Sequence, residues 1–410
     1  MKQKSIPLKF SNYQIIAIVI LALTQFSVVL DFMVMSPLGD LIMKNMKISP
    51  NEFGLVVSCY AFSAGLSGFF TASIADKFDR KKLLLIFYAG FILGTLLCGL
   101  ATTYWFLVSA RIVTGIFGGV ISSISLAIVA DIFEINQRGR VMGFLQMGFG
   151  MSQILGIPIS LFLATTWNWQ APFYLIVGLA TIIFIIGFFV LKPVVGHLEL
   201  QRDNPIKHMW KTISNRDYRI GFLATAFMSL GGYLMMPWGS SFSVNNVGIS
   251  QKDLPLMFMI IGISTFTVMP IIGKLSDKFN KYSIFVGSSI LMIISVVVYT
   301  HLGQASFAVL VIVNMVMMAG IMARMIPSQA LTTAVPALKD RGAFMSINSS
   351  LQQMAGGIAA LVGGAIVQQK DENSPLERFD LLGYVVIAAI LINIFLTYRV
   401  YNLVQRQASK

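Results

Sequence analysis

Charge is what this sequence has least of. Asp, Glu, Lys and Arg together make up 11% of its 410 residues, where a soluble domain carries about 25%. A chain this poor in charge cannot cover a water-facing surface, which excludes an ordinary soluble globular domain. Cysteine is almost absent. Cys59 and Cys98 both lie inside apolar runs and read as small buried hydrophobes, which excludes a disulfide scaffold and a thiolate metal site. The three histidines stand far apart, with no metal-ligand spacing. No Walker sequence is present, so direct ATP drive is not expected. The piece Gly148-Phe149-Gly150 sits inside an apolar run with no strand before it, so it is no dinucleotide fingerprint. No cofactor and no metal are expected.

What the sequence has instead is apolar length. Hydrophobic residues make up 56% of it, with a mean hydropathy of +0.78. Runs of about 20 apolar residues are long enough, at a rise of about 1.5 Å each, to cross the hydrocarbon core of a bilayer. Apolar runs bounded by charge predict twelve spans, at 13–43, 52–75, 82–101, 103–131, 140–165, 170–191, 218–244, 253–276, 281–302, 305–333, 340–369 and 379–402. The first run is too long for a cleavable signal, and no small-residue cleavage site follows it. Between spans six and seven lies one long polar stretch, Lys192 to Arg219, containing Pro193 and Pro205. The expected organisation is therefore an all-α membrane protein: an N-terminal six-helix bundle over 1–191, a cytoplasmic linker over 192–217 and a C-terminal six-helix bundle over 218–410.

The net charge of +13 would suggest nucleic acid on a soluble protein. Its distribution points to topology instead. Outside the cytoplasmic segments lie only Lys44, Lys47, Lys252, Lys370 and Arg378 in the opposite loops, and Arg111 and Arg324 within spans. The other 23 of the 30 Lys and Arg residues fall on one side. The positive-inside rule then puts both termini in the cytoplasm. Contact with membrane lipid is expected, nucleic acid is not, and the chain is expected to be a monomer.

The two halves repeat one another. Ala75-Asp76-Lys77-Phe78-Asp79-Arg80 after span two matches Ser276-Asp277-Lys278-Phe279-Asn280-Lys281 after span eight, and Arg138-Gly139 before span five matches Arg341-Gly342 before span eleven. Parallel repeats related by an axis along the membrane normal are an architecture of secondary transporters, with substrate bound between the halves.

These residues resemble the major facilitator superfamily over essentially the whole chain. The loop after span two is similar to that family's motif A, with Asp76, Arg80, Lys81 and Lys82 at its charged positions, while Ala72 and Asp79 stand where glycine is common. Its second copy keeps Gly273 and Asp277. Arg111 with Gly115, Gly118 and Gly119 resembles the motif B arginine of proton-coupled members. Gly148, Gly150, Gly156 and Pro158 form a loose version of the motif C bend of antiporters, with Ile157 interrupting the usual Gly-Pro. Leu30-Asp31-Phe32-Met33-Val34-Met35-Ser36-Pro37 is similar to the first-helix motif of drug and arabinose-type efflux permeases. The resemblance implies proton-coupled efflux of a small molecule by alternating access, at the bacterial inner membrane, with helices one, four, seven and ten around the cavity. It also implies a latch of Asp76, Arg80 and Asp131 that closes the cytoplasmic side, with Lys81 and, from the second copy, Asp277 counted among its residues.

Asp31 is the most informative single residue. A carboxylate at the centre of a spanning helix costs about 2.5–3.5 kcal/mol on insertion scales and so faces a cavity or a partner. Burial disfavours a carboxylate anion and a nearby cation favours it, so a group between those two influences can load and release a proton. A static ion pair or a packing hydrogen bond is the alternative. Arg111, at a comparable depth in span four, is the expected counter-charge; packing against helix carbonyls is its alternative. Arg324 has no evident acidic partner in its half, and reads either as a binder of an anionic or polyhydroxylated substrate or as a donor to helix carbonyls near Pro327. Polar candidates for the cavity are Gln25, Gln146, Gln153, Asn314, Gln329, Asn348, Gln352 and Gln353, with Tyr233 and Trp238 as an aromatic face. Each of these also fits ordinary interhelical packing. The rival function within the transporter class is symport or facilitated diffusion of a sugar or metabolite. A membrane enzyme is disfavoured, because no metal cluster or nucleophile–base pair is evident.

Overall fold

A computed structural model describes residues 10–74, 78–195, 205–337 and 340–408. Among these, the chain is helical almost throughout. The N-terminal half comprises α1 (Asn12–Val34), α2 (Gly39–Met46), α3 (Pro50–Ile74), α4 (Arg80–Gly99), α5 (Tyr104–Ile132), α6 (Ile135–Met151), α7 (Ile157–Thr166) and α8 (Ala171–Val190). After α9 (Pro205–Ser214), the C-terminal half comprises α10 (Arg216–Tyr233), α11 (Gly239–Ser241), α12 (Leu254–Lys278), α13 (Lys281–Thr300), α14 (Phe307–Thr333), α15 (Arg341–Ile366) and α16 (Phe379–Ala408).

Helix ends follow local chemistry. Ser11, Thr103 and Asn215 cap α1, α5 and α10 by accepting backbone N–H bonds. Asp79 and Asn280, at matching positions of the two halves, cap α4 and α13 in the same way. Such caps satisfy N–H groups that have no partner within the helix. The linker is not wholly irregular, since α9 lies in it and inserts Met209 among Tyr218, Phe222 and Phe344.

Among the described residues, eleven helical segments are long and apolar enough to cross a membrane, and none has more than half of its most apolar stretch buried. The rest of each surface, including Phe162, Phe188 and Phe189, faces outward as apolar side chains, which is what contact with lipid requires. The twelfth expected span, 340–369, is α15. Its 26 residues are long enough, but Ser346, Asn348, Ser349, Ser350, Gln352 and Gln353 make it too polar to qualify alone. The reason lies in its packing: α15 runs against α3 between the two halves. There Ser58 Oγ donates to Gly357 O at 2.9 Å, and an added Cβ on Gly54 would stand 2.7 Å from Ala360 O.

Two spans expected as continuous helices are broken. Span 13–43 stops at Val34, turns through Ser36-Pro37 and resumes as α2; span 218–244 stops at Tyr233, passes through a 3-10 turn at Met236–Trp238 containing Pro237, and ends in a π-helical turn at Phe242–Asn246. Proline has no N–H and its ring clashes with the preceding turn, so each proline ends its helix. Span 140–165 also carries a π-helical turn, Ser152–Gly156, with Ile157 between it and Pro158. Kinks in helices have such identifiable causes.

Lipid tails are as apolar as leucine, so helices in a membrane associate by close packing. An added Cβ on Gly119 would lie 2.5 Å from Ala64 Cα, whereas one on Gly178 meets nothing within 4 Å. Gly119→Val should therefore lower the thermal unfolding temperature in detergent, at a cost of about 1–3 kcal/mol of overpacking, and Gly178→Val should leave it near that of the unaltered protein. Equal unfolding temperatures would show that this approach does not hold the bundle together.

Candidate functional site

The inner seam of the N-terminal half is built around one ion pair. Arg111 Nη1 on α5 donates to Asp31 Oδ2 on α1 at 2.8 Å, and the two side chains are 1% and 0% exposed. Thr95 Oγ1 from α4 donates to the other carboxylate oxygen at 3.2 Å. The Arg111 guanidinium lies over the Tyr60 ring, 4.3 Å from its centre, a favourable position for a desolvated cation. Its Nε is enclosed without a hydrogen-bond partner. Tyr60 packs against Phe32, and Phe32 against Tyr233 of the other half, with ring centres 5.4 and 5.8 Å apart.

That aromatic chain separates the pair from a cavity between the halves. Phe32, Ser36, Tyr233, Pro237, Gln353 and Gly356 are among the residues that line it. At about 20 Å³ it has room for a water or two, not for an organic molecule. It is shut on the side of the two broken helices. Ser36 Oγ donates to the Met236 carbonyl, and Ser240 Oγ donates to Ser36 O at 3.0 Å. Farther along, the buried Asp40 carboxylate receives Asn245 Nδ2 at 2.7 Å and Gln251 Nε2 at 2.6 Å from the opposite half. Lys44 Nζ bridges Asp40 Oδ2 at 2.9 Å and Asn245 Oδ1 at 3.1 Å.

At the opposite end, Arg80 Nε donates to Asp131 Oδ2 at 2.5 Å and ties the start of α4 to the end of α5. Lys81 is spent locally: its Nζ donates to Phe188 O at 2.8 Å and lies over the Phe188 ring. Asp79, where the motif commonly has glycine, accepts from Lys81 N at 3.0 Å and from Val194 N at 2.9 Å, and so fastens the start of the linker to this loop. Asp76 lies outside the described residues, as do the side chains of Asp277 and Gln146.

The remaining expected cavity residues disperse. Tyr233 and Gln353 line the cavity, while Gln352, half-buried next to Gln353, is not among the lining residues. Gln25 accepts from Ser122 Oγ at 2.9 Å within the N-terminal half, and Gln153 Nε2 approaches Met33 Sδ at 3.4 Å. Asn314 Nδ2 turns back to Leu310 O at 2.9 Å on its own helix. Trp238 is fully buried, edge-on to Phe53, and Gln329 is exposed. Gly156 brings its helix against Leu30, the neighbour of Asp31: an added Cβ would lie 2.6 Å from Leu30 Cδ1. Pro158 follows at the start of α7. Sequence reasoning missed Tyr60, Thr95 and Asp40. Tyr60 and Thr95 carry no signal inside apolar runs. Lys44 and Asn245 do carry one, being 201 positions apart, the offset of the Asp-Lys-Phe repeat.

The Major Facilitator Superfamily profile matches residues 21–360 and 222–408. The chain belongs to that superfamily. The MFS-type transporter YbcL of Bacillus subtilis (strain 168) is 26% identical over 394 residues, covering 96% of this chain and 97% of the relative. A probable sugar efflux transporter of Helicobacter pylori (strain P12) is 23% identical over 252 residues, covering 61% of this chain and 63% of the relative. Among solved structures, the D-xylose–proton symporter matches with a TM-score of 0.76 at 16% identity, over 92% of this chain and 97% of that one. This major facilitator chain is thus a multi-pass membrane protein whose relatives are transporters, not enzymes.

Two outcomes follow from the geometry. Removing one member of a buried ion pair costs about 3–5 kcal/mol, because the other charge is left uncompensated. Asp31→Asn should therefore lower the thermal unfolding temperature more than the double variant Asp31→Asn, Arg111→Gln does. Asp40→Ala removes the anchor shared by Asn245, Gln251 and Lys44. In a Cys59→Ser, Tyr233→Cys background it should speed labelling by a membrane-impermeant maleimide from the side bearing Asp40; an unchanged rate would show that this network does not hold that side shut.

Proposed function

We propose that this chain is a secondary active transporter that exports a small organic molecule in exchange for protons. The observation that carries the reading is the fully buried Asp31–Arg111 pair, set three residues before the end of α1 and its Ser36-Pro37 break. An intramembrane carboxylate held only by one arginine and one hydroxyl can exchange its partner for a proton. Protonation of Asp31 removes the attraction that fixes α1 to α5. Return of the anion restores it. Because Phe32 lies on α1 and Ser36 in the break that follows it, and both line the cavity, that exchange acts directly on the wall that meets the cargo.

Breaks at Pro37 and Pro237, in matching places of the two halves, supply the points where outer segments can part from the bundle. Discontinuous helices near the midplane are how many transporters build their sites. The Arg80–Asp131 bond, with Asp76 as the expected third member, serves as the cytoplasmic latch, and Lys81 and, from the second copy of the motif, Asp277 are proposed to belong to it. Gly156 and Pro158 serve as the bend by which the fifth span follows the first. Gln25, Gln146, Gln153, Tyr233, Trp238, Asn314, Arg324 and Gln352 are the residues proposed to meet substrate as the halves rock. The two halves are proposed to move as units joined by the 192–217 linker, with both termini on the cytoplasmic face of a bacterial inner membrane. Multidrug export is one form of this reading.

The H. pylori relative, named a sugar efflux transporter, favours a second reading of the cargo: a sugar or metabolite, moved by symport or facilitated diffusion. Reconstitution separates the readings. In proteoliposomes holding a pH-sensitive dye, an imposed pH gradient should drive flux of either ethidium or radiolabelled xylose, with proton movement in the opposite direction. Asp31→Asn should abolish the response to the gradient while leaving exchange without a gradient. Full gradient-driven flux in Asp31→Asn would remove the coupling role, and protons moving with the cargo would favour symport.

A further inference from the structure

Within the C-terminal half lies a second intramembrane arginine, and its environment is the reverse of that of Arg111. Arg324 on α14 is 1% exposed. Its Nε donates to Ser289 Oγ on α13 at 3.0 Å, and its guanidinium lies 5.4 Å from the centre of the Phe285 ring. Ser289 is fully committed, because its own hydroxyl donates to Phe285 O at 2.7 Å. Arg324 Nη2 is enclosed and has no hydrogen-bond partner. Among the described residues no carboxylate comes within 4.0 Å of it; the acids of this half, such as Asp253, Asp340 and Asp380, stand at helix ends and loops.

A full positive charge inside a membrane protein without an anion is costly, and such residues are kept for function or answered by a partner. Phe285 and Ser289 hold the guanidinium in one orientation and leave its Nη2 without a partner. A pre-oriented guanidinium suits planar, charge-assisted bonds to a carboxylate or phosphate. A neutral hydroxyl could fill the orphan donor but not the charge.

We propose that the missing counter-charge is supplied by the cargo: Arg324 is an anion-recognition residue, and the transported molecule carries a carboxylate or phosphate group. This rests on the transporter reading, but not on proton coupling, because binding requires no gradient.

The test uses the full-length protein in detergent at fixed ionic strength, with thermal unfolding as readout. The probes are acetate, benzoate, gluconate, inorganic phosphate and glucose 6-phosphate, with glucose as the neutral control. At least one anion should raise the unfolding temperature where glucose does not, and carboxylates against phosphates show which group is read. Arg324→Met should abolish that rise while unfolding, without ligand, at the same or a higher temperature than the unaltered protein, since no ion pair is lost. Ser289→Asp, which supplies an internal counter-charge, should also abolish the rise. The proposal is overturned if no anion acts on the unaltered protein, if glucose acts equally, if Arg324→Met responds as before, or if Arg324→Met is destabilised without ligand. Loss of gradient-driven flux with anion binding intact would count against proton coupling alone.

Discussion

The N-terminal half depends on how a charge survives where water is excluded. Asp31 and Arg111 are each fully buried, and each is tolerable only because the other is 2.8 Å away. The pair also ties together four helices, since Thr95 from α4 and Tyr60 from α3 complete its surroundings. Breaking it leaves an uncompensated charge in a medium that cannot solvate it.

The two halves use the same scaffold with different charge arrangements. Pro37 and Pro237 break corresponding spans, and the breaks meet through Ser36, Met236 and Ser240. Asp79 and Asn280 cap corresponding helices, but Asp79 also fastens the linker, while Asn280 reaches Tyr401. Among the described residues, Arg111 has an internal anion and Arg324 has none. Pseudo-symmetry therefore extends to the backbone and to its breaks and caps, while the charged side chains have diverged between halves.

Closure is likewise unequal at the two ends. On the side of the broken helices, the halves are joined by a polar network centred on Asp40, and the cavity beneath it is too small for cargo. At the other end, the bond described is Arg80 to Asp131, inside one half. Across the interface at that end, Phe69 of α3 packs against the cluster of Tyr218, Phe222 and Phe344 of the other half.

Much of this was legible in the residues themselves. Apolar length and scarce charge determined the spans, since backbone in lipid must satisfy its own hydrogen bonds, and the repeated Asp-Lys-Phe and Arg-Gly registers determined the twofold organisation. Asp31 and Arg111 stood out because ionisable residues are rare at that depth. The sequence did not show that Pro37 and Pro237 would break their helices where they do, because prolines are also tolerated within spanning helices, as Pro270 and Pro327 are here. Nor did it separate Gln353, at the cavity, from Asn314, turned back on its own helix: that depends on the rotation of each helix about its axis, which packing against neighbours decides. The residues themselves already paired Arg111 with Asp31 and left Arg324 without an evident acid in its half; tertiary structure decided that Thr95 and Tyr60 complete the first site and that Ser289 and Phe285 hold the second, because contacts between distant positions depend on distance in space.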